Sequence, residues 1–121
     1  MRSSHEVFRG PMVPLITHFK DDGALDLNAV SANVREITDR GIGYGHGVLL
    51  AVGAGGDFPM LSLAERQQVA RTIVEAAQGA APVVVGAQDT RVERTIEMAQ
   101  FAESIGAEAI QVSAPYYYDT T

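Results

Sequence analysis

Residues 47–62 read GVLLAVGAGGDFPMLS, passing from an apolar run through a glycine-rich segment to a helix start. Val48, Leu49, Leu50, Ala51 and Val52 have the length and β-branched character of a buried strand. Gly53, Gly55 and Gly56 interrupt it, and successive backbone N–H groups without a Cβ between them can converge on an anion. Ser62 and Glu65 then form an S-x-x-E capping box, in which the serine accepts from the third helical N–H and the glutamate reaches back to the cap. A strand, a loop suited to an anion and a capped helix thus follow one another directly.

The same grammar extends in both directions. Upstream, PMVPLITHF (11–19) reads as a strand in which Pro14 demands a strand end or a bulge. KDDGALD is a turn, Asp26 caps a helix carrying Leu27, Val30, Val34 and Ile37, and Gly41 ends it. Downstream of Ser62, Val69, Ile73 and Ala76 form an apolar stripe closed by Gly79. Pro82 leads into a strand at VVVGAQ. Thr90 and Glu93 repeat the capping-box spacing before a helix whose inward face is Val92, Ile96, Ala99 and Ala102, closed by Gly106. AIQVSAP (109–115) is a fourth strand, and Tyr116, Tyr117 and Tyr118 follow it. The order βαβαβαβ implies parallel strands joined by helical crossovers.

Composition narrows the partners. With 121 residues the chain is at most one domain, and 46% hydrophobic content suits a globular fold. The formal net charge is −6 with no basic cluster, which disfavours nucleic acid and anionic membranes. There is no cysteine, hence no thiolate metal site or disulfide framework. No apolar run approaches a membrane span, and the first residues lack a signal-like core. A cytoplasmic domain that handles a small molecule is the resulting expectation, with no metal and no cofactor.

Two architectures use this grammar. A doubly wound sheet places its ligand loop after the first strand, usually as G-x-G-x-x-G. Here the glycines follow the second strand, Phe58 occupies the place of the last glycine, and no G-K-[ST] follows. A barrel of strand–helix units instead gathers loops from the carboxyl ends of several strands. On that count the four strands and three helices make an incomplete barrel.

Six segments in order resemble those of the dihydrodipicolinate synthase and N-acetylneuraminate lyase family of Schiff-base aldolases. They are Thr17-His18-Phe19 (with histidine for the family's proline), Asp22 to Asp26, Gly53-Ala54-Gly55-Gly56-Asp57, Leu61 to Arg66, Pro82 to Gly86, and Pro115-Tyr116-Tyr117. The resemblance implies that residues 10–121 are the N-terminal half of a (βα)8 barrel, an α/β fold, after a tail at 1–9. It also implies a mechanism in which a lysine amine attacks the keto carbon of pyruvate or another 2-oxo acid, the iminium then serving as electron sink. It implies that Gly53, Ala54, Gly55 and Gly56 bind the substrate carboxylate, with backbone N–H groups of Gly55 and Gly56 available for it. Thr17 is placed against the loop, and Tyr117 enters a proton relay across a subunit interface. A homo-oligomeric full-length parent is implied too.

Departures from the family pattern carry further expectations. Ala54 and Gly55 stand where the family loop has threonines, so the usual proton relay lacks its hydroxyls. A lyase, dehydratase or hydratase-aldolase is expected rather than the enzyme of lysine biosynthesis. The resemblance puts the Schiff-base lysine on a sixth strand, and the only lysine here is Lys20, beside Asp21 and Asp22, whose charges favour a protonated amine. The chain by itself is therefore expected to lack activity as an aldolase. The alternative is a non-catalytic half-barrel that pairs with itself or a partner through open sheet edges. A small flavodoxin-like binding domain ranks below both. Asp57 is expected to point outward onto backbone N–H groups, His46 to be structural, His18 to be a minor polar candidate, and Arg66 to lie on a helix surface or interface.

Overall fold

The alternation of strand and helix is realised over residues 2–116, which the computed structural model describes. The elements are α1 (Ser4–Val7), β1 (Met12–Pro14), α2 (Leu27–Asp39), β2 (Val48–Ala51), α3 (Leu63–Ala77), β3 (Val83–Gly86), α4 (Val92–Ser104) and β4 (Ala109–Gln111). Two 3₁₀ turns, Ala54–Gly56 and Phe58–Met60, separate β2 from α3. All strand pairs are parallel, and their order in the sheet equals their order in the chain.

That order selects between the two architectures. Right-handed crossovers that always step the same way across a sheet deliver every helix to the same face. Accordingly α2 packs on α3 and α3 on α4. No strand order reverses, so the sheet has no switch-point crevice of the doubly wound kind. Alternate residues divide the two faces. Leu49, Ala51, Val83 and Val85 join Val30, Val34, Val69, Ile73 and Met98 in the main core beneath the helices. Val48, Leu50 and Val84 form a second, smaller cluster with Ala109 on the other face.

Local signals account for the helix starts. Asp26 Oδ1 accepts from the Ala29 N–H at 3.0 Å. The Ser62–Glu65 box is complete, with bonds of 3.1 and 2.9 Å. Helices α2, α3 and α4 stop just before Gly41, Gly79 and Gly106, as the sequence indicates.

Four expectations need correction. The first strand is three residues rather than 11–19, although the Leu15 N–H still reaches the Leu50 carbonyl at 3.0 Å. Pro11 O and Leu15 N bond to β2, so in a parallel ladder the backbone groups of residues 12 and 14 face the other way. The donor that Pro14 lacks would therefore have faced the free edge, where a proline is tolerated. Beyond it the chain leaves the sheet and Thr17 turns to the glycine segment. The fourth strand is likewise only Ala109–Gln111. The segment read as a tail contains α1, started by a second complete capping box at Ser3 and Glu6 with Val7 buried. The Ser3 N–H and hydroxyl hold the Glu6 carboxyl below its ordinary value.

The fourth concerns α4. Thr90 does not cap it; the N-cap is Arg91, with no side-chain bond. Asp89 intervenes, its Oδ1 accepting the Arg91 N–H at 3.0 Å. Ala102 is buried as expected, joined by Met98, whereas Val92 and Ile96 are exposed. Its inward stripe is the one through Met98, Phe101, Ala102 and Ile105.

Candidate functional site

The carboxyl ends of the strands converge on one feature, the turn that follows β2. Val52 begins it with φ at 49°, in the left-handed region that a β-branched residue seldom enters. The strain, about 1–3 kcal/mol for such a residue, is held by complete burial of its side chain in the core. This kink swings the chain out of the sheet into the 3₁₀ turn Ala54–Gly56. The Gly56 N–H closes the turn on the Gly53 carbonyl at 3.0 Å, and the Asp57 N–H bonds to Ala54 O at 3.1 Å. Among the described residues the N–H groups of Ala54 and Gly55 have no acceptor. Of the donors expected from the sequence, Gly56 is spent on closing the turn, while Gly55 stays free together with Gly53 and Ala54 before it among the described residues.

Close approach explains two glycines here. A Cβ on Gly56 would stand 2.9 Å from the Leu15 carbonyl oxygen, and one on Gly86 would stand 2.4 Å from the Val52 carbonyl oxygen. The turn thus lies tightly between the ends of β1 and β3. Thr17, only 7% exposed, fastens it from the β1 side: its Oγ1 donates to the Gly56 carbonyl at 2.6 Å. The threonine hydroxyl is therefore occupied by the loop backbone.

Arg66 fastens the other side. It is 3% exposed, in phase with Val69, Ala70 and Ile73 on the inward face of α3, and not on a helix surface. Its Nη1 donates to Asp89 Oδ2 at 2.9 Å and its Nη2 to the Gln88 carbonyl at 3.0 Å. The guanidinium also lies 5.5 Å from the Phe58 ring centroid, within cation–π range. Burial pushes the Asp89 carboxyl up, but the Arg91 N–H and the Arg66 guanidinium outweigh it and hold the group below its ordinary value. One buried cation thereby joins α3, the β3–α4 loop and the aromatic residue that follows the glycine turn. The signal in the sequence was the i, i+3, i+4, i+7 spacing from Arg66 to the apolar stripe, which outweighs the general preference of arginine for solvent.

Phe58 in turn meets Tyr116 edge to face, with ring centroids 5.5 Å apart at 83°. Ala54, Phe58, Gln88, Gln111, Val112, Ser113 and Tyr116 line a cavity of about 380 Å³ at this end of the sheet. Gln88 was not singled out by the sequence; it is 5% exposed, and its Nε2 makes a long bond of 3.4 Å to the Val52 carbonyl. Tyr117 lies outside the described residues.

The remaining candidates stand apart. Lys20 is exposed in the turn after β1, where its N–H bonds to Ala24 O. Asp22 Oδ1 accepts from the Ala24 N–H at 3.0 Å, holding that turn. Asp57 is exposed in a left-handed conformation, and its carboxylate receives no N–H among the described residues. His46 is exposed ahead of β2, at the far end of the sheet. His18 is half-buried beside Thr17, and among the described residues its Nδ1 has no partner. No group of three or more histidines and carboxylates able to hold a metal occurs among the described residues. No described helix is long and apolar enough to cross a membrane.

Comparison with known proteins agrees with this fold. Residues 7–121 match the model of the dihydrodipicolinate synthetase family. A 4-hydroxy-tetrahydrodipicolinate synthase of Chelativorans sp. is 39% identical over 111 residues, which are 92% of this chain and 36% of that protein. YagE, a prophage protein of the dihydrodipicolinic acid synthase family from E. coli K12, was solved in complex with pyruvate. It superposes with a TM-score of 0.87 at 32% identity, over 95% of this chain and 37% of that one. N-acetylneuraminate lyase of Proteus mirabilis shares the fold, with a TM-score of 0.85 at 22% identity over 94% of this chain and 37% of that one. The chain thus spans a little over a third of the length of these relatives, and it belongs to the dihydrodipicolinate synthetase family.

Proposed function

We propose that the chain forms the carboxylate-holding part of a 2-oxo-acid lyase, aldolase or dehydratase that works through a Schiff base. The observation that carries this is the tightly seated turn Gly53–Gly56 beside the cavity, with the Ala54 and Gly55 N–H groups unclaimed among the described residues. Two N–H groups fixed by a turn stabilise an anion without having to reorganise when it arrives. Family membership and the pyruvate bound to YagE support pyruvate or a similar 2-oxo acid as that anion. Neither position 54 nor 55 supplies a hydroxyl, which favours a lyase or dehydratase over a synthase whose relay runs through loop threonines. Tyr117 is assigned to the proton relay in the assembled protein, a homo-oligomer.

The covalent step is assigned to a lysine outside these 121 residues. A nucleophilic lysine needs desolvation or a neighbouring cation to lose its proton near neutrality. Lys20 is exposed and next to two carboxylates. The role left to this chain is to orient the acid so that its keto carbon meets an incoming amine.

Two measurements on the 121-residue chain test this. Titration with pyruvate, followed by amide NMR, is expected to move the Ala54 and Gly55 resonances saturably. Borohydride treatment in the presence of pyruvate is expected to leave the mass unchanged. Amides that do not move would remove the carboxylate site; a reduced adduct on Lys20 would overturn the assignment of the nucleophile elsewhere.

A second reading has its own support. The outer edges of β1 and β4 are both unpaired among the described residues, and each strand carries an exposed apolar side chain, Met12 in β1 and Ile110 in β4. Two such four-stranded halves, edge to edge in parallel, would close an eight-stranded sheet. Light scattering after size exclusion decides: a dimer supports self-association of a non-catalytic half-barrel, and a monomer at high concentration removes it.

A further inference from the structure

Among the described residues, Gln88 is the one buried polar side chain in the cavity wall whose hydrogen bonding is incomplete. Its residue exposure is 5%, its Oε1 is shielded from solvent, and among the described residues that oxygen has no donor. A buried acceptor without a partner is unfavourable unless something supplies one. The rest of the residue is held firmly. Its carbonyl accepts from Arg66 at 3.0 Å, and its Nε2 reaches the Val52 carbonyl, immediately before the glycine turn. Only that last bond, at 3.4 Å, restrains the side-chain amide. The terminal torsion of the amide is soft, and the residue lines the cavity.

From this geometry we infer that Gln88 is a specificity-determining residue: its amide oxygen accepts a hydrogen bond from a hydroxyl on carbon 3 of a 2-oxo acid whose carboxylate sits on the Ala54–Gly55 N–H pair. This rests on the carboxylate site proposed above and adds to it the class of substituent that follows the keto group. Ala54 and Gln88 line the same cavity, so one small ligand can span them. The surrounding wall of Phe58, Val112 and Tyr116 is mostly apolar. In such surroundings, a site built to bond a hydroxyl rejects the analogue that lacks it, because the polar group is then left unpaired.

The test is a titration of the 121-residue chain with pyruvate, 3-hydroxypyruvate and 2-oxobutyrate, read by amide NMR. Wild type is expected to bind 3-hydroxypyruvate at least about fivefold more tightly than 2-oxobutyrate, the ratio that one ordinary hydrogen bond provides. In Gln88→Leu the ratio is expected to fall to about one. Gln88→Asn keeps an amide but withdraws it by a methylene, and it is expected to fold and to lose the preference as well. A wild-type ratio near one, or the full preference persisting in either folded variant, overturns the role of Gln88 while pyruvate binding leaves the carboxylate site standing. If none of the three acids binds, both fall together.

Discussion

Replacing Arg66 by methionine tests whether one buried cation holds the candidate site together. Methionine keeps most of the buried stem and removes the guanidinium. Lost with it are the bonds to Asp89 at 2.9 Å and to the Gln88 carbonyl at 3.0 Å, and the approach to the Phe58 ring. Both charged side chains are less than a tenth exposed, so the surviving Asp89 is left with its charge poorly solvated. Breaking a buried pair from one side costs about 3–5 kcal/mol. Asp89 retains the Arg91 N–H at 3.0 Å, which places the expected loss near the lower end, about 3 kcal/mol. That is a large share of the 5–15 kcal/mol, roughly, by which a domain is stable. Urea unfolding followed by far-ultraviolet circular dichroism measures it, with the slope against denaturant as a check that the unfolded state is unchanged. Adding Asp89→Asn removes the stranded charge, so the double variant is expected to recover about 1–2 kcal/mol relative to additivity. A single-variant loss under about 1 kcal/mol would be that of an exposed pair, and would refute the role given to Arg66.

Three further outcomes are expected. The Asp89 carboxyl is depressed in the folded chain, so its stabilisation is complete above about pH 4, the unfolded value. It is lost as the pH falls through the lower folded value, and acid titration of Asp89→Asn is expected to show a shallower loss of stability than wild type over that window. Thr17→Val deletes the buried bond to the Gly56 carbonyl and is expected to cost about 1–3 kcal/mol in urea unfolding, with the Ala54 and Gly55 amide resonances displaced. Ser62→Ala is expected to cost about 1 kcal/mol, whereas Thr90→Ala, at a position with no capping bond, is expected to change stability by less than about 0.5 kcal/mol. Equal losses for those two serine and threonine variants would contradict the cap assigned to Arg91.

Much of this protein is written in short-range patterns. The run from Val48 to Ala51 is a strand because it is apolar on both faces, and the Ser62–Glu65 box starts a helix because two backbone donors find partners within one turn. Glycines after the helices and apolar runs before the next ones then lead to parallel strands in sequential order. Interactions of that kind are complete within a few residues, so the sequence alone carries them, and the family resemblance rests on the same local segments.

Other features exist only once distant segments meet. Thr17 and Gly56 are 39 positions apart, Arg66 and Asp89 are 23 apart, and each pair acts through a bond that no local spacing announces. That the Thr90–Glu93 spacing caps no helix, and that the buried face of α4 runs through Met98 as well as Ala102, show only in the folded chain, where Arg91 is the N-cap without a side-chain bond. Which N–H groups of the glycine turn stay free depended on how the 3₁₀ turn closed between the ends of β1 and β3. Local hydrogen bonds and hydrophobic period determine elements and their order; burial, which is a property of the assembled sheet and helices, determines which polar groups are paired, which are left seeking a partner, and hence where a ligand has something to hold.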